Sequence, residues 1–312
     1  MGKSATRDAY GKALAEFGGD ERIVVLDADL SKSTKTAVFK DAYPDRHFNM
    51  GIAEGNMMAV AAGLASTGKT VFASSFAVFA TSRAYEQIRN SICYPRANVK
   101  VCATHSGITV GEDGASHQSI EDISIMRTLP NMTVLSPSDA AETRFCVKTA
   151  IETNGPVYIR LGRLAVEDVY APDQKFEAGK GVVAKDFGDD VAIFATGYMV
   201  QQSLKAADIL LAKGIKAKVI DIFSIKPIDR ELVVSCAEKT GFVVTCEEHS
   251  IIGGLGSAVC EVLAEERPTK VYRIGMEDTF GKSGTPDALL KLFGLDGESI
   301  AEKVAAKIKT LK

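Results

Sequence analysis

The chain has 312 residues, of which 46% are hydrophobic and 25% charged, and its formal net charge is −3. This length predicts two domains, since a single hydrophobic core rarely grows beyond about 300 residues. The mixed charge argues against a nucleic-acid-binding protein, which normally carries a basic face. No apolar run approaches the ~20 residues that cross a bilayer, and the charged start MGKSATRDAYGKAL lacks the apolar centre of an export signal. We therefore expect a globular protein that contacts neither nucleic acid nor membrane.

The first half of the chain alternates Val- and Ile-rich runs with helical patterns. Strands are predicted at residues 23–27, 70–75, 98–104, 132–135 and 157–161. Helices are predicted at residues 6–17, 54–66, 81–91, 119–128 and 140–153. This alternation is typical of an α/β domain with a mostly parallel sheet and helices on both faces, here assigned to residues 1–165.

A polar stretch with Pro and several Gly follows at residues 166–190, and we predict a linker there that includes at most a short strand. The alternation then resumes. Strands are predicted at residues 191–195, 218–221, 242–246 and 270–274, and helices at 200–213, 230–239, 256–265, 287–293 and 299–308. Residues 191–312 are therefore predicted to form a second, smaller α/β domain.

Six cysteines are scattered without a CxxC pair, mostly among Val, Ile and Ala. Disulfide frameworks belong to small secreted proteins, so we expect buried free thiols and a cytoplasmic location. The four histidines lack zinc spacing, and no metal site is predicted on this chain. Gly281-Lys282-Ser283 resembles the end of a phosphate loop, but Met276 stands where that motif needs Gly.

A lone carboxylate, Glu54, stands in the small-residue apolar stretch NMGIAEGNMMAVAAGLA. Small residues let helices approach closely, so we expect this helix and its carboxylate to be buried. Burial of an unpaired charge costs several kcal/mol or raises the pKa of the group. Two interpretations remain open: Glu54 caps backbone amides at the helix start, or it shares a proton with a nitrogen of a ligand.

Two further segments follow predicted strands, where α/β sheets place their ligands. Phe76 and Phe79 share one helical face in SFAVFATSRAYEQIRNS, which indicates either core packing or an aromatic slot for a flat ring. The segment THSGITVGEDGASHQ, residues 104–118, has no periodicity but contains His105, Asp113 and His117. Such a loop suits a polar substrate and proton transfer near neutral pH.

In this order, the segments GIAEGNM, SFAVFATSRAYEQIRNS, THSGITVGEDGASHQ, LPNMTVLSPSDAAE, GPVYIRLGR and EEHSIIGGLGS resemble the second half of transketolase. The resemblance runs from Arg7 to about Thr285 and covers the pyrimidine-binding and C-terminal domains of that family. The family's first half binds the cofactor diphosphate and a divalent cation through a GDG…N motif, which this sequence lacks. The chain therefore resembles one subunit of a split transketolase.

The resemblance implies that Glu54 hydrogen-bonds the aminopyrimidine of thiamine diphosphate and so promotes loss of the C2 proton of the thiazolium. It also implies that Phe79 stacks on the pyrimidine with Phe76 beside it, and that Asp29 lies near the thiazolium and the substrate. The family often has Tyr where this chain has Ser82, so that edge of the pocket differs.

For the substrate, the resemblance implies that His105, Asp113 and His117 bind sugar hydroxyls and that the two histidines assist proton transfer. Ser106 replaces an Asp that many transketolases have. A second set of residues, by the same resemblance, binds the phosphate of the sugar at the mouth of the channel: Arg7, Ser33 and Arg163. Guanidinium groups suit a phosphate dianion because they donate through a planar fork.

The implied activity is reversible transfer of a two-carbon ketol unit from a ketose phosphate to an aldose phosphate. A separate N-terminal transketolase subunit would supply the diphosphate site with Mg²⁺ or Ca²⁺, in an expected α2β2 assembly. Three alternatives stay open: a 2-oxoacid dehydrogenase E1 β-type subunit, a deoxyxylulose-phosphate-synthase-like subunit and a non-catalytic assembly subunit. The first would not be expected to carry GEDGASHQ with two flanking histidines.

Overall fold

The structure is a computed structural model that describes residues 2–311. Its strands, in chain order, are β1 Lys3–Ala5, β2 Ile23–Asp27, β3 His47–Asn49, β4 Thr70–Phe76, β5 Val99–Thr104, β6 Thr133–Leu135, β7 Val157–Arg160, β8 Ala165–Glu167, β9 Val182–Asp186, β10 Val191–Ala195, β11 Ala217–Asp221, β12 Ser224–Lys226, β13 Phe242–Ser250 and β14 Lys270–Met276.

The α-helices are α1 Thr6–Phe17, α2 Ser31–Thr34, α3 Ala37–Ala42, α4 Glu54–Ser66, α5 Tyr85–Gln87, α6 Asp122–Arg127, α7 Ala140–Glu152, α8 Met199–Ala212, α9 Arg230–Thr240, α10 Leu255–Glu266, α11 Pro286–Phe293 and α12 Gly297–Leu311. Short 3₁₀ helices lie at Pro44–Arg46 and Ile108–Asp113, and π-helical turns at Phe79–Arg83 and Ile88–Cys93. No helix within residues 2–311 is long and apolar enough to cross a membrane.

The first sheet has seven strands in the order β12-β6-β7-β5-β4-β2-β3, and all neighbours except β12 and β6 run parallel. Strands β2, β4, β5 and β7 are buried along their whole length, as expected for a parallel sheet covered on both faces. One apolar cluster joins the sheet to α4 and α6, and another joins it to α1 and α7.

The second sheet has five strands in the order β14-β13-β10-β11-β9. Helices α8, α11 and α12 pack through one apolar cluster and α9 and α10 through another. Only β9, at one edge, runs antiparallel. The predicted α/β architecture, a mostly parallel sheet followed by a second, smaller α/β unit, is confirmed, and the second sheet is also mostly parallel.

Two short strands were not assigned from the sequence to the sheets they join. β9 lies inside the segment predicted as a linker and pairs with β11 of the second sheet. β12 lies in the second half of the chain but extends the first sheet by pairing with β6. The second half of the chain therefore contributes a strand to the first sheet.

Two predicted helices differ from the structure. Residues 81–91 do not form one α-helix, because π-helical turns flank the short helix α5. The helix predicted at residues 119–128 begins only at Asp122, because Ser119 forms a β-bridge with Ser106. The predicted helix start near residue 138 is confirmed, since the side chain of Asp139 accepts a hydrogen bond from the Glu142 amide at 2.9 Å.

All six cysteines are free, and five of them are buried, whereas Cys260 is only partly buried. Burial raises the pKa of the fully enclosed Cys102 and Cys246 thiols to about 12, so both remain protonated at neutral pH. These residues serve as small apolar side chains in the core.

Candidate functional site

The candidate site lies where parallel strands of the first sheet end. Asp29 follows β2, Phe76 is the last residue of β4, and His105 directly follows β5. Because β4 pairs in parallel with both β2 and β5, these three ends meet at one edge of the sheet. Ligands of α/β sheets bind at this edge.

Glu54 begins α4 and is buried, with 4% of its surface exposed. Its Oε1 accepts a hydrogen bond from Arg83 Nη1 at 3.4 Å, and the Arg83 side chain is 54% exposed. Within residues 2–311, no hydrogen bond joins this carboxylate to a backbone amide, and the N-cap position, Ala53, has no side-chain cap. The capping interpretation of Glu54 is therefore wrong, and the partner of the carboxylate is the half-exposed guanidinium of Arg83.

A row of flat side chains leads from Glu54 to the histidines. The Arg83 guanidinium lies over the Phe79 ring, 4.0 Å from its centroid. Phe79 stacks on Phe76 at 5.9 Å, and the His105 ring stacks on Phe76 at 3.8 Å. His117 meets the Phe79 ring edge-on at 5.3 Å. Phe76 and Phe79 thus form one aromatic surface between the carboxylate and both imidazoles.

His105 is held in one tautomer by its two neighbours. Arg7 Nη1 lies 3.1 Å from Nε2, and Thr104 Oγ1 lies 2.8 Å from Nδ1. Since a guanidinium can only donate, Nε2 must accept and Nδ1 must carry the proton. Burial, with further contributions from Arg7, Arg163 and His117, lowers the pKa of His105 to about 3. The imidazole is therefore neutral at physiological pH.

Two guanidinium groups stand beyond His105. Arg7 Nη1 also donates to the backbone oxygen of Ser33 at 3.0 Å, while the buried Nε has no hydrogen-bonding partner among the described residues. Arg163 lies 3.5 Å from the Asp113 carboxylate and donates to the Val110 carbonyl. Burial lowers the pKa of Arg7, and the charge of Arg163 lowers it further, so the two cations are close enough to repel. Such a pair favours an anion between them.

Asp29 lies at the same edge but takes part in a separate hydrogen-bond pair. Its backbone is left-handed, with φ of 62°, and its Oδ1 accepts from Asn49 Nδ2 at 2.8 Å. The Asp29 amide donates back to Asn49 Oδ1 at 3.1 Å. Asn49 is the last residue of β3, so this pair fixes the ends of β2 and β3 relative to each other.

Two contributors to the site were missed in the sequence. Arg83 is the ion-pair partner of Glu54, and Thr104 fixes the tautomer of His105. Arg83 lies four residues after Phe79, and this spacing on a helix could have indicated that the two side chains meet. Nothing local in the sequence indicated the role of Thr104, which depends on how the chain turns after β5.

Comparison with known proteins supplies the family. Residues 2–168 match the family described as transketolase, pyrimidine binding domain, and residues 179–300 match transketolase, C-terminal domain. The chain belongs to the transketolase family. Transketolases depend on thiamine diphosphate, so an acidic residue beside an aromatic surface lies in the domain that holds the pyrimidine of that cofactor.

Individual relatives show which section of a transketolase the chain represents. A transketolase C-terminal section from Methanocaldococcus jannaschii is 52% identical over 307 residues, which cover 97% of this chain and 96% of that protein. A 6-deoxy-6-sulfo-D-fructose transketolase subunit from a Clostridium species is 43% identical over 295 residues, covering 94% of this chain and 91% of that subunit. Against mammalian transketolases, by contrast, the chain spans 49% of their length.

A solved structure leads to the same assignment. A split gene transketolase, described as an inactive beta4 tetramer, superposes with a TM-score of 0.91 at 58% identity. The match covers 98% of this chain and 99% of that one. The chain thus corresponds to the C-terminal section of transketolase.

Proposed function

We propose that this chain is the C-terminal subunit of a split, thiamine-diphosphate-dependent transketolase. Together with a separate N-terminal subunit it transfers a two-carbon ketol unit from a ketose phosphate to an aldose phosphate. The observation that carries this proposal is the contact path Glu54–Arg83–Phe79–Phe76–His105, which ends at Arg7. Apart from Arg83, which lies over the Phe79 ring, the path offers a carboxylate, an aromatic surface, a neutral imidazole and a cation in that order.

The start of this path fits the pyrimidine end of the cofactor. When bound, thiamine diphosphate supplies the electron sink for breaking a ketose carbon–carbon bond. Phe79 offers a ring face to the flat heterocycle, and Glu54 offers a buried carboxyl group that can share a proton with one of its ring nitrogens. Since Arg83 occupies the Phe79 face and pairs with Glu54 only at 3.4 Å, its half-exposed side chain can swing away to admit the ring.

The far end of the path fits a sugar phosphate. Nε2 of the neutral His105 ring carries no proton. It can therefore accept a hydrogen bond from a sugar hydroxyl once the Arg7 side chain turns away from it to the substrate. His117, on the same aromatic surface, lies where it can hold a second hydroxyl and relay a proton. Arg7 and Arg163 bind the phosphate, with Ser33 beside Arg7 and Asp113 beside Arg163.

The partner follows from what this half of the enzyme offers. The chain spans about half the length of mammalian transketolases, and the split gene relative is described as inactive when assembled from its beta chains. Both facts support a separate subunit that contributes the diphosphate and Mg²⁺ or Ca²⁺ site. We expect an α2β2 complex of these two subunits in the cytoplasm.

A non-catalytic assembly subunit is the remaining alternative within the family. Such a subunit would have no need of a buried carboxylate next to a partly exposed aromatic ring. Nor would it need a histidine held in a strained backbone conformation, as His105 is with φ of 57°. These two features favour the catalytic role.

The test is reconstitution with a candidate N-terminal subunit that carries the GDG…N motif. Ketol transfer is measured for each subunit alone and for the mixture, with thiamine diphosphate and Mg²⁺ present throughout. We expect activity in the mixture and at most a trace in either subunit alone. Full activity from this chain alone would disprove the split arrangement. A stable complex that binds thiamine diphosphate but transfers no ketol unit would support the assembly role instead.

A further inference from the structure

Residues 104–118, here called the histidine loop, have two sides. His105 and His117 face the aromatic surface, and the other side faces residues 242–286 of the C-terminal region. We propose that the C-terminal region is the template that fixes the conformation of the histidine loop, with Glu248 as its main positioning residue. The loop geometry stands on its own, whereas its consequence for catalysis rests on the proposed function.

Two glycines of the loop, Gly107 and Gly114, have no space for a side chain because residues of the C-terminal region fill it. Gly107, Gly111 and Gly114 have positive φ angles of 75°, 87° and 76°. A Cβ on Gly107 would collide with the Glu248 carboxylate, and one on Gly114 would collide with the Ser283 hydroxyl. The loop therefore needs glycine for its backbone angles and for close contact with the second region.

Glu248 makes the central polar contact. It lies on β13, is 4% exposed, and its Oε1 accepts a hydrogen bond from the Thr109 amide at 2.5 Å. Its backbone oxygen accepts from Arg160 Nη2, on β7 of the first sheet, at 2.9 Å. A buried bond between a backbone amide and a carboxyl oxygen is strong and leaves a costly unpaired group if one partner is removed.

Gln118 closes the loop and ties it to the same region. Its Nε2 donates to the carbonyl oxygens of Ile108 and Gly111 within the loop at 3.1 and 3.3 Å. The same nitrogen donates to the Lys282 carbonyl of the C-terminal region at 2.8 Å. One amide group thus fixes both the width of the loop and its distance from residues 281–286.

Apolar packing supports these hydrogen bonds. Ile108 belongs to the core cluster of the C-terminal region, together with Met276 and Leu289. Ile120, which follows the loop, belongs to the same cluster, and its carbonyl accepts from the Ser250 amide at 2.7 Å. The loop therefore packs into the core of the C-terminal region, whereas its two histidines contact the aromatic surface of the first domain.

This arrangement explains how His105 keeps an unfavourable backbone. A non-glycine residue at φ of 57° persists only when its surroundings determine the conformation. On one side the ring is held against Phe76, and two residues later Gly107 is held against Glu248. Loss of the second contact should let His105 leave the aromatic surface and become hydrated.

The test uses the full chain without any partner subunit. Glu248→Ala is compared with Glu248→Gln and with Glu247→Ala, the matched control on the same strand. Glu247 is equally buried, but its oxygens accept from the Leu255 and Gly256 amides at 2.7 and 2.8 Å, inside the C-terminal region. Two quantities are measured: hydrogen exchange of the loop amides, and the pKa of His105 by NMR.

For Glu248→Ala we expect exchange at the Thr109 amide to accelerate by about 10- to 100-fold. The pKa of His105 should rise from about 3 towards its ordinary value as the ring becomes hydrated. Glu248→Gln, which keeps an acceptor oxygen, should restore most of the protection, and Glu247→Ala should leave the loop unchanged. Unchanged loop exchange in Glu248→Ala, or equal loosening in Glu247→Ala, would overturn the proposal.

A second pair of variants covers the case in which Glu248→Ala does not fold. Gly114→Ala places a methyl group against the Ser283 hydroxyl, and Ser283→Ala removes that hydroxyl. Gly114→Ala alone and Gly114→Ala combined with Ser283→Ala carry the same backbone strain at residue 114. The difference in hydrogen exchange between these two variants therefore reports only the contact between residues 114 and 283. We expect the double variant to recover loop protection at least about threefold relative to Gly114→Ala. Identical exchange in the two would contradict the template. Because no measurement uses ketol transfer, failure of reconstitution would leave this result intact.

Discussion

Charged groups are satisfied differently in two regions of the molecule. At the candidate site the ion pairs are long: Glu54 meets Arg83 at 3.4 Å and Arg163 meets Asp113 at 3.5 Å. The Arg83 and Arg163 side chains are 54% and 37% exposed. Such pairs contribute about 1 kcal/mol or less to stability, so these groups remain available to a ligand.

The second region is a cluster of acidic groups between α7, β11 and the segment that connects the sheets. Asp139, Glu142 and Asp221 are fully buried. Glu142 Oε2 accepts from the Ser138 amide and hydroxyl at 2.7 and 2.9 Å, and Asp221 Oδ2 accepts from the Tyr170 hydroxyl at 3.0 Å. We call these four titratable residues, Asp139, Glu142, Tyr170 and Asp221, the junction cluster.

Under the proposed function, the difference separates charges that would bind a ligand from charges that stabilise the fold. Arg7 and Arg163 predominate at the end of the site that we propose binds the sugar phosphate, and their partners can exchange for an anion. The junction cluster contains only acidic groups, and local donors already satisfy most of their oxygens. The two remaining oxygens, Glu142 Oε1 and Asp221 Oδ1, are buried without a donor side chain among the described residues, so one proton shared between them would satisfy both.

The largest effect is expected from Glu54→Ala. In the assembled enzyme it should slow exchange of the C2 proton of thiamine diphosphate by at least about 100-fold, because the carboxyl group that shares a proton with the pyrimidine is lost. Glu142→Gln is the matched control, since it changes another buried glutamate in the first turn of a helix. Exchange should stay within about twofold in that control. Equal slowing in both variants would remove the distinction between the two regions.

A smaller effect is expected from Arg163→Ala. It should raise the KM for phosphorylated donors by about 10- to 100-fold with little change in kcat, because a charge-assisted bond to phosphate is lost. Arg144→Ala removes a similar exposed arginine, which pairs with Glu16 away from the site, and should leave KM unchanged. If the KM for an unphosphorylated ketose rose as much, Arg163 would not be a phosphate ligand.

The junction cluster should affect stability and its pH dependence. Burial raises the pKa of Asp221 to about 7, and burial and the charge of Asp221 raise the pKa of Glu142. Between roughly pH 4 and pH 7 the folded state therefore holds more protons than the unfolded state. The contribution of this cluster to the free energy of unfolding therefore falls as the pH rises through this window.

Asp221→Asn should remove part of this fall, on the order of 2 kcal/mol, because the amide cannot ionise and can donate to Glu142 Oε1. Urea denaturation at a series of pH values from 4 to 8 measures the effect, with Asp208→Asn as an exposed control on α8. The same pH slope in wild type and Asp221→Asn would show that the cluster does not hold an extra proton. The C2 proton exchange of the assembled enzyme should be unaffected.

The smallest expected effect concerns His105. Its pKa of about 3 means that its NMR signals should not titrate between pH 5 and pH 8. Arg7→Gln should raise this pKa partially, because it removes one nearby cation but leaves the burial that is the main cause. The signal is assigned by its loss in His105→Gln. A midpoint near 6.5 in the wild type would show that the ring is hydrated and not held on Phe76.

Much of the fold could be predicted because its signals are local. β2 and β10 have the predicted bounds, as do α1 and α4, since continuous Val and Ile runs and small-residue helical patterns mark buried elements. β12 could not be assigned to the first sheet, because its pairing with β6 joins residues far apart in the chain. A strand of only three residues carries no sequence pattern that could identify β6 as its partner.

The site was predictable only in part for the same reason. The chemical character of Glu54, Phe79 and His105 is visible in the sequence, but their meeting at one sheet edge was implied by a family resemblance. The contact between Glu248 and Gly107 joins two regions that sequence patterns describe separately. The partner that fixes a loop is set by tertiary packing, so it appears only in the structure.

The central claim is that this chain supplies one half of each catalytic site, and a competition assay tests it most directly. A fixed amount of the N-terminal subunit is mixed with wild-type and Glu54→Ala chains in varied ratios at constant total concentration, and ketol transfer is measured. The account predicts that activity falls in proportion to the fraction of Glu54→Ala chains, because they occupy the partner without completing its sites. Activity that is independent of this fraction, while both chains bind the partner equally, would contradict the account.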